Sequence, residues 1–331
     1  MSTTSLEPSS TSVNHSSFLP TGTRAKLILA FAAVYLVWGS TYFAIRVGIE
    51  TLPPLLLAGS RHLLAGLIFY PILRWKTGIR PTAAHWRTAT VTGLLLLFIG
   101  NGGVCLAEQR IPSGVAALLV ATVSLWLVLI EWARPGGTRP VARVIAGLVM
   151  GFAGLALLVG PAQLGGSRRV DLLGAGILVV ASFSWSCGSL FSKHNPLPPS
   201  PFLGVAMQSL AGGAALWIAG LTIGEGRALV AGAISLRSII ALAYLIAFGS
   251  AIGFTAYLYL LKNTTPSRIG TYAFVNPVVA LFLGWAFAGE VVSLRTWLAA
   301  AVILTAVLLV ITAPHGAPGR KEEEIVPPSE A

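Results

Sequence analysis

Long runs of apolar residues without charge dominate this sequence. Ten such runs lie between charged residues or Pro and Gly breaks, at residues 27–45, 54–73, 88–108, 113–132, 142–160, 172–191, 202–223, 239–260, 268–288 and 295–312. A membrane-spanning helix needs about 20 such residues, and only helices and closed barrels satisfy their backbone hydrogen bonds within lipid. The alternating ten-residue pattern of a barrel does not occur in the sequence. We therefore predict an all-α integral membrane protein with ten transmembrane helices.

The composition argues against a soluble protein and sets the two ends of the chain apart from its middle. Of the 331 residues, 55% are hydrophobic and 10% are charged, whereas soluble domains carry about 25% charged residues. Residues 1–26 are rich in Ser and Thr, and residues 313–331 are rich in Pro and Glu. Both segments are predicted to be disordered cytoplasmic tails. The first apolar run is interpreted as an uncleaved span, because Tyr35 and Trp38 make a poor signal-peptide cleavage site.

The net charge of +11 is distributed unevenly along the chain. With ten spans and an inside N-terminus, 14 Lys and Arg residues fall on inside segments and 7 on outside segments. Because positive charges concentrate in cytoplasmic loops, both ends of the chain are predicted to be cytoplasmic. The excess charge then faces lipid headgroups, and a nucleic-acid partner is not expected.

The sequence is internally duplicated. Residues 38–46 (WGSTYFAIR) recur 147 positions later as residues 185–193 (WSCGSLFSK), and the same offset relates Pro54 to Pro201. Farther along each copy, the offset increases slightly. Duplicated membrane units are typical of secondary transporters, whose binding site lies near the midplane between the two repeats.

The two copies are predicted to be five-helix repeats, at residues 27–160 and 172–312. Since five is an odd number, the second repeat enters the membrane from the opposite side. Arg46 then lies at the outer end of the first span, and its counterpart Lys193 lies at the inner end of the sixth. Each cation is placed where its long side chain can reach the headgroups. The predicted fold is therefore two inverted five-helix repeats.

Several motifs in both halves resemble those of one transporter family. They lie, in order, at residues 38–46, 100–108 (GNGGVCLAE), 111–122 (IPSGVAALLVAT), 266–280 (PSRIGTYAFVNPVVA) and 289–290 (GE). Together they resemble the ten-helix EamA-domain exporters of the drug/metabolite transporter superfamily, over residues 27–312. One departure concerns the Gly-Glu pair that members often carry after the fourth helix, where this chain has Gly136-Gly137.

The resemblance implies a secondary active transporter of a bacterial inner membrane. It implies export of small metabolites, such as amino acids or amphiphilic compounds, by alternating access with proton coupling or exchange. The sequence contains no G-x-x-x-x-G-K-[ST] motif for direct ATP drive, and no cofactor is expected. The expected partners are a small-molecule substrate and the lipid bilayer, for a monomer or a homodimer. Glu290, in the family's Gly-Glu pair, is expected to fix a helix end or the turn into the tenth span.

Arg61 is the most informative single residue, because it lies well inside the second span. A cation at that depth costs about 2.5–3.5 kcal/mol on insertion scales and is by default a functional hypothesis. We expect it to face a central cavity and to hold an anionic group of the substrate, such as a carboxylate. The alternative is a structural tie to a backbone carbonyl or a side chain that extends outward to the headgroups.

Aromatic and hydroxyl residues inside the spans predict a mixed binding pocket. Trp38 and Trp185 lie within their spans rather than in the interfacial belts where Trp concentrates. With Tyr42, Ser189 and Tyr257 they are predicted to contact substrate, because amphiphilic metabolites require apolar walls with a few polar groups. The alternative is aromatic packing between helices.

Glu108, at the outer end of the third span, is the carboxylate of the first half most plausibly reached from the cavity. Burial favours the protonated form of a carboxyl group, so Glu108 is predicted to take up and release a proton during transport. The alternative is an interfacial acid solvated by headgroups or paired with Arg110.

Asn276 and Pro277 interrupt the middle of the ninth span. Proline there removes the hydrogen bond to the carbonyl of Ala273 and kinks the helix. We expect Asn276 to contact substrate and Pro277 to be a helix kink, because such interruptions recur at carrier sites. The alternative is a static bend that improves packing.

Other protein classes fit the sequence less well. A membrane enzyme would need paired acids, a histidine cluster or a nucleophile with its base, and the five histidines are scattered. An ion channel would need rings of carbonyls or charges. Neither catalytic nor metal-ligating residues are therefore assigned. A nucleotide-sugar carrier of the same superfamily remains an alternative, and the two cysteines are expected to be reduced and structural.

Overall fold

The computed structural model describes residues 21–135, 140–159, 170–229, 234–263 and 272–313. Within these ranges the regular structure is entirely helical. Helices α1 to α10, in chain order, cover residues 21–48, Pro54–Thr77, Ala83–Ala107, Ser113–Ala133, Ala142–Val159, Leu172–His194, Pro201–Thr222, 236–263, Tyr272–Ala288 and Leu294–Ile311. Each coincides with one of the predicted apolar runs. The predicted tail at residues 1–26 is too long, because α1 begins at Thr21; residues 1–20 and 314–331 lie outside the described ranges.

Seven of these helices are long and apolar enough to cross a membrane, namely α1 to α4 and α6 to α8. Helices α5, α9 and α10 contain shorter apolar segments, Ala142–Leu158, Val275–Ala288 and Leu294–Val310. The described chain is thus an all-α protein with several membrane-spanning segments. Membrane crossing by the three shorter helices stays a prediction.

Proline and glycine set the ends of several helices. Helices α2 and α7 begin at the equivalent residues Pro54 and Pro201. At the first position of a helix the N–H has no partner within the helix, so proline, which has no N–H, loses no hydrogen bond there. Helix α2 ends before Gly78, whose φ of 65° is a left-handed conformation that favours glycine. The sequence pattern therefore fixes these boundaries locally.

Three helices depart from α-helical winding along part of their length. Residues 34–38 of α1, 94–101 of α3 and 245–252 of α8 are π-helical. A turn at Thr122 divides α4, and its hydroxyl donates to the carbonyl of Leu119 at 2.5 Å. Such interruptions often occur at functional sites, because they expose backbone groups and shift the faces of a helix.

The two halves cross closely through glycines of α2 and α7. A Cβ added to Gly66 would lie 2.8 Å from the backbone nitrogen of Leu210, and one added to Gly213 would lie 2.5 Å from that of Leu63. These contacts are reciprocal, since the repeat offset relates Gly66 to Gly213 and Leu63 to Leu210. Small residues let the two backbones approach this closely.

The main hydrophobic core occupies one end of the helix bundle. We call the end where α1 begins the proximal end, and the end where α1 stops and α2 begins the distal end. The cluster includes Ile45, Leu57, Ile111 and Leu178, each at most 2% exposed. These residues lie near the distal ends of α1, α2, α4 and α6. The distal end is therefore tightly packed.

Candidate substrate cavity

A cavity of about 410 Å³ lies between the two halves. Its lining reaches from Ile45 and Val104 at the distal side to Val128, Tyr272 and Val310, near the proximal ends of α4, α9 and α10. The cavity therefore extends through the proximal half of the bundle, whereas the main core fills the distal half. The lining contains six of the residues selected from the sequence, namely Trp38, Tyr42, Arg61, Trp185, Asn276 and Pro277.

Trp38 is fixed against the π-helical stretch of α8. Its indole nitrogen donates to the carbonyl of Gly249 at 3.2 Å. Its ring also contacts Tyr257 and Tyr272, with ring centroids 5.1 Å and 5.3 Å apart. These aromatic contacts hold one face of the indole at the cavity wall.

Trp185 occupies the equivalent place in the second half. A Cβ added to Gly100, in the π-helical stretch of α3, would lie 2.9 Å from its ring. Gly100 and Gly249 are related by the repeat, so each tryptophan contacts the equivalent glycine of the opposite half, Trp38 through a hydrogen bond and Trp185 through packing. Two large apolar walls thus face the cavity.

Arg61 lies at the cavity wall with only 6% of its surface exposed. Its Nε donates to the hydroxyl of Ser250 at 3.4 Å, and its guanidinium lies over Gly249, where an added Cβ would be 2.9 Å from Nη2. Among the described residues, no carboxylate lies within 4 Å of the guanidinium. A buried cation with a single weak hydroxyl acceptor is costly, which leaves the guanidinium suited to an anionic ligand.

Two further polar side chains lie beside Arg61. His62 is 3% exposed, and its Nε2 is 3.2 Å from the Oδ1 of Asn101. Both residues line the cavity. The sequence motifs do not single out His62, and Asn101 occurs only within the family motif at residues 100–108. Their positions inside apolar runs were the signal that could have identified them.

Asn276 and Pro277 lie on the α9 wall of the cavity. The Oδ1 of Asn276 is buried and has no hydrogen-bond partner within the described ranges. The helix continues through Pro277 to Ala288. An unpaired acceptor at this depth can receive an N–H or O–H group of a ligand, and the kink at Pro277 stays a prediction.

Two residues selected from the sequence lie outside the cavity lining. The hydroxyl of Ser189 donates to the carbonyl of Trp185 at 2.8 Å, so it is engaged by its own helix. Tyr257 lies behind Trp38 and supports it. The apolar runs indicate which residues lie within a span, but they do not give the face of the helix on which a side chain lies.

Glu108 lies at the distal end of α3 and is completely buried. Neither of its carboxylate oxygens has a hydrogen-bond partner within the part of the chain that the structure describes. A guanidinium nitrogen of Arg46 donates to its backbone carbonyl. The alternative pairing with Arg110 is wrong, because Arg110 faces Asp171 at 3.7 Å. The carboxyl group does not line the cavity, so its contact with the transport path is indirect.

The whole membrane part of the chain matches one protein family. The model of the EamA-like transporter family matches twice, at residues 25–160 and 172–312. The chain is 40% identical, over 85% of its length and 89% of the relative's, to the uncharacterized inner membrane transporter YedA of Escherichia coli strain K12. It is 25% identical, over 82% of its length and 90% of the relative's, to a probable amino-acid metabolite efflux pump of the same strain.

A solved crystal structure supports the fold independently. It covers 87% of this chain and 98% of its own, with a TM-score of 0.58 at 20% identity.

Among the described residues, no group of three His, Cys, Asp or Glu side chains is arranged to hold a metal ion. The resemblance to EamA exporters is confirmed by the family match and by the relatives named as transporters. The chain belongs to the EamA-like transporter family and is a multi-pass membrane transporter of a small-molecule substrate.

Proposed function

We propose that this protein exports small amphiphilic metabolites that carry a carboxylate, by alternating access between two inverted five-helix halves. The observation that carries the proposal is the buried guanidinium of Arg61, which faces an aromatic-walled cavity without a carboxylate neighbour among the described residues. A bidentate guanidinium–carboxylate contact would give this cation the partner it lacks.

The inverted arrangement is supported by reciprocal contacts between the halves. Trp38 donates a hydrogen bond to the carbonyl of Gly249 in α8, and its counterpart Trp185 packs on the equivalent Gly100 of α3. The family model also matches each half separately. If all ten helices cross the membrane and a twofold axis in the membrane plane relates the two halves, equivalent residues of the halves must contact equivalent partners.

The cavity offers three kinds of contact to a substrate. Arg61 is a donor to an anion, the Oδ1 of Asn276 is an unpaired acceptor, and Trp38, Tyr42 and Trp185 supply apolar walls. An amino acid with a large apolar side chain, or a derivative of one, would use all three. The relative named as a probable amino-acid metabolite efflux pump supports this substrate class.

Energy coupling is proposed to come from a proton gradient or from solute exchange, with Glu108 as the proton carrier. Among the described residues no hydrogen-bond donor reaches the buried carboxyl group of Glu108, and burial without donors disfavours the anion, which supports a protonated resting form. With cytoplasmic chain ends, the proximal end faces the cytoplasm, and the relative named as an inner membrane transporter supports a bacterial inner membrane.

Counterflow in proteoliposomes tests this function. Vesicles that contain the purified protein are loaded with an unlabelled amino acid, and uptake of the labelled compound is measured against the decarboxylated amine as a matched control. The proposal predicts saturable counterflow for the carboxylate and none for the amine. Equal transport of both would contradict the role of Arg61, and unsaturable flux would indicate a channel.

A further inference from the structure

Two helices that begin at the distal end have no N-cap of their own. The N-cap positions of α2 and α4 are Pro53 and Pro112, and neither makes a side-chain capping bond. The first N–H groups of a helix have no partner within it, so another group must satisfy them.

Two carboxylates of the opposite half supply these missing bonds. Oε1 and Oε2 of Glu225 accept from the N–H groups of Leu55 and Leu56, at 3.2 Å and 2.9 Å. Glu290 accepts in the same manner from Ser113 and Gly114, at 2.7 Å and 3.3 Å. Each carboxylate faces the positive end of a helix dipole, which favours negative charge.

The two carboxylates are placed by the same local device. Each follows a glycine in the left-handed conformation just past a helix end: Gly224, with a φ of 88°, after α7, and Gly289, with a φ of 65°, after α9. An L-residue with a side chain is strained there. The Gly-Glu pair therefore turns the chain sharply and directs the carboxylate across to the other half.

In the sequence, the positions equivalent to these carboxylates at the proximal end are occupied by glycines. Ser200 is the counterpart of Pro53, and its hydroxyl accepts from the N–H of Leu203 at 3.4 Å, so α7 caps itself. The counterpart of Glu225 is Gly78, and that of Glu290 is Gly137. Neither glycine has a carboxylate to offer across the halves.

We propose that Glu225 and Glu290 are latches that hold the distal end closed and bias the resting transporter towards the state open at the proximal end. This inference rests on the proposed function, because it assumes alternating access. When the distal end opens, both helix ends lose their caps, whereas the equivalent positions Gly78 and Gly137 have no carboxylate to offer when the proximal end closes. The difference in bonds favours the proximal-open state. With a cytoplasmic proximal end, the empty carrier would wait for substrate inside the cell, as an exporter requires.

Distal opening is measured by labelling a cysteine in the cavity. Val104 lines the distal side of the cavity and is buried, so Val104→Cys, with Cys105→Ala and Cys187→Ser, gives a single reporter. A membrane-impermeant maleimide is added to the distal side of oriented vesicles that contain the full chain. Glu225→Gln and Glu290→Gln remove the negative charge and one capping bond each, with little change in shape.

The matched control is Ser293→Ala. Ser293 caps its own helix α10 at the same end, by accepting from the N–H of Thr296 at 3.1 Å. We expect distal labelling to rise about fivefold for each Glu→Gln variant and about 25-fold for the pair, if each cap contributes its usual free energy independently. The control should label at the rate of the parent.

Labelling of both Glu→Gln variants at the parent rate would contradict the proposal that Glu225 and Glu290 hold the distal end closed. An equal rise in the labelling of the Ser293→Ala control would also contradict this proposal, because loss of any helix cap at the distal end would then explain the faster labelling. Counterflow by the parent protein is measured in the same vesicles. Its absence would contradict the proposed transport function, whereas normal counterflow with unchanged labelling would contradict the latches alone.

Discussion

The two halves of this transporter share their packing but differ in their polar chemistry. At equivalent positions of α2 and α7, Arg61 corresponds to Gln208, while Leu63 and Leu210 are identical. Only Arg61 of this first pair lines the cavity. Equivalent residues of the two halves make reciprocal close contacts, so the shared sequence supports a common scaffold. Under the proposed function, substrate recognition would depend on residues such as Arg61, which differ between the halves.

The largest effect is expected when the first half is made like the second. Arg61→Gln removes the cation at the cavity wall, and loss of one partner of a buried charge pair costs about 2 kcal/mol or more. Half-saturating substrate concentration in counterflow should rise at least about thirtyfold. Gln208→Asn, at the equivalent place, should change it by less than about twofold. Equal effects of the two substitutions would show that the halves contribute alike.

The second comparison concerns Glu108 and its counterpart Tyr257. One proton coupled to an imposed gradient of one pH unit supports about tenfold accumulation of substrate. Glu108→Gln should abolish this accumulation while counterflow at equal pH persists, since the buried carboxyl group can no longer change its charge. Tyr257→Phe should leave both measurements unchanged. Full gradient-driven accumulation by Glu108→Gln would dismiss this residue as the proton carrier.

The equivalent glycines Gly100 and Gly249 separate packing from recognition. In Gly249→Ala the new methyl group meets the flexible end of Arg61, so substrate affinity should fall about fivefold to tenfold through a displaced guanidinium. In Gly100→Ala it meets the rigid ring of Trp185, which costs about 1–3 kcal/mol of folding free energy. Thermal unfolding and counterflow of both variants distinguish the two results. The reverse pattern would contradict the assignment of Arg61 to the substrate.

The smallest expected difference lies between the two tryptophans. Trp38→Phe removes part of the aromatic wall that a substrate would contact, worth about 1 kcal/mol of apolar burial, and also loses the bond to the carbonyl of Gly249 that positions the ring. Half-saturating concentration should therefore rise about fivefold, and by less in Trp185→Phe. A larger effect of Trp185→Phe would place the substrate nearer α6 than α1.

The sequence predicted the helices well because the apolar runs are bounded by charges, prolines and glycines, as at Pro54 and Pro201. It also pointed to Arg61, Trp38 and Trp185, which line one cavity, because charge and Trp are costly or unusual inside a span. It could not give the face of the helix on which each side chain lies, and the hydroxyl of Ser189 bonds to the carbonyl of Trp185 in its own helix instead of lining the cavity. Glu225 was missed because its partner Leu55 lies 170 residues away in the chain.

The most direct test of the central claim is the sidedness of two exposed residues. In a background without the native cysteines, Glu50→Cys marks the distal turn after α1 and Lys193→Cys marks the proximal end of α6. Oriented vesicles are treated with a maleimide that cannot cross the membrane. Two inverted halves around one cavity predict that the reagent labels these cysteines from opposite sides. Labelling of both from the same side would contradict the inverted arrangement.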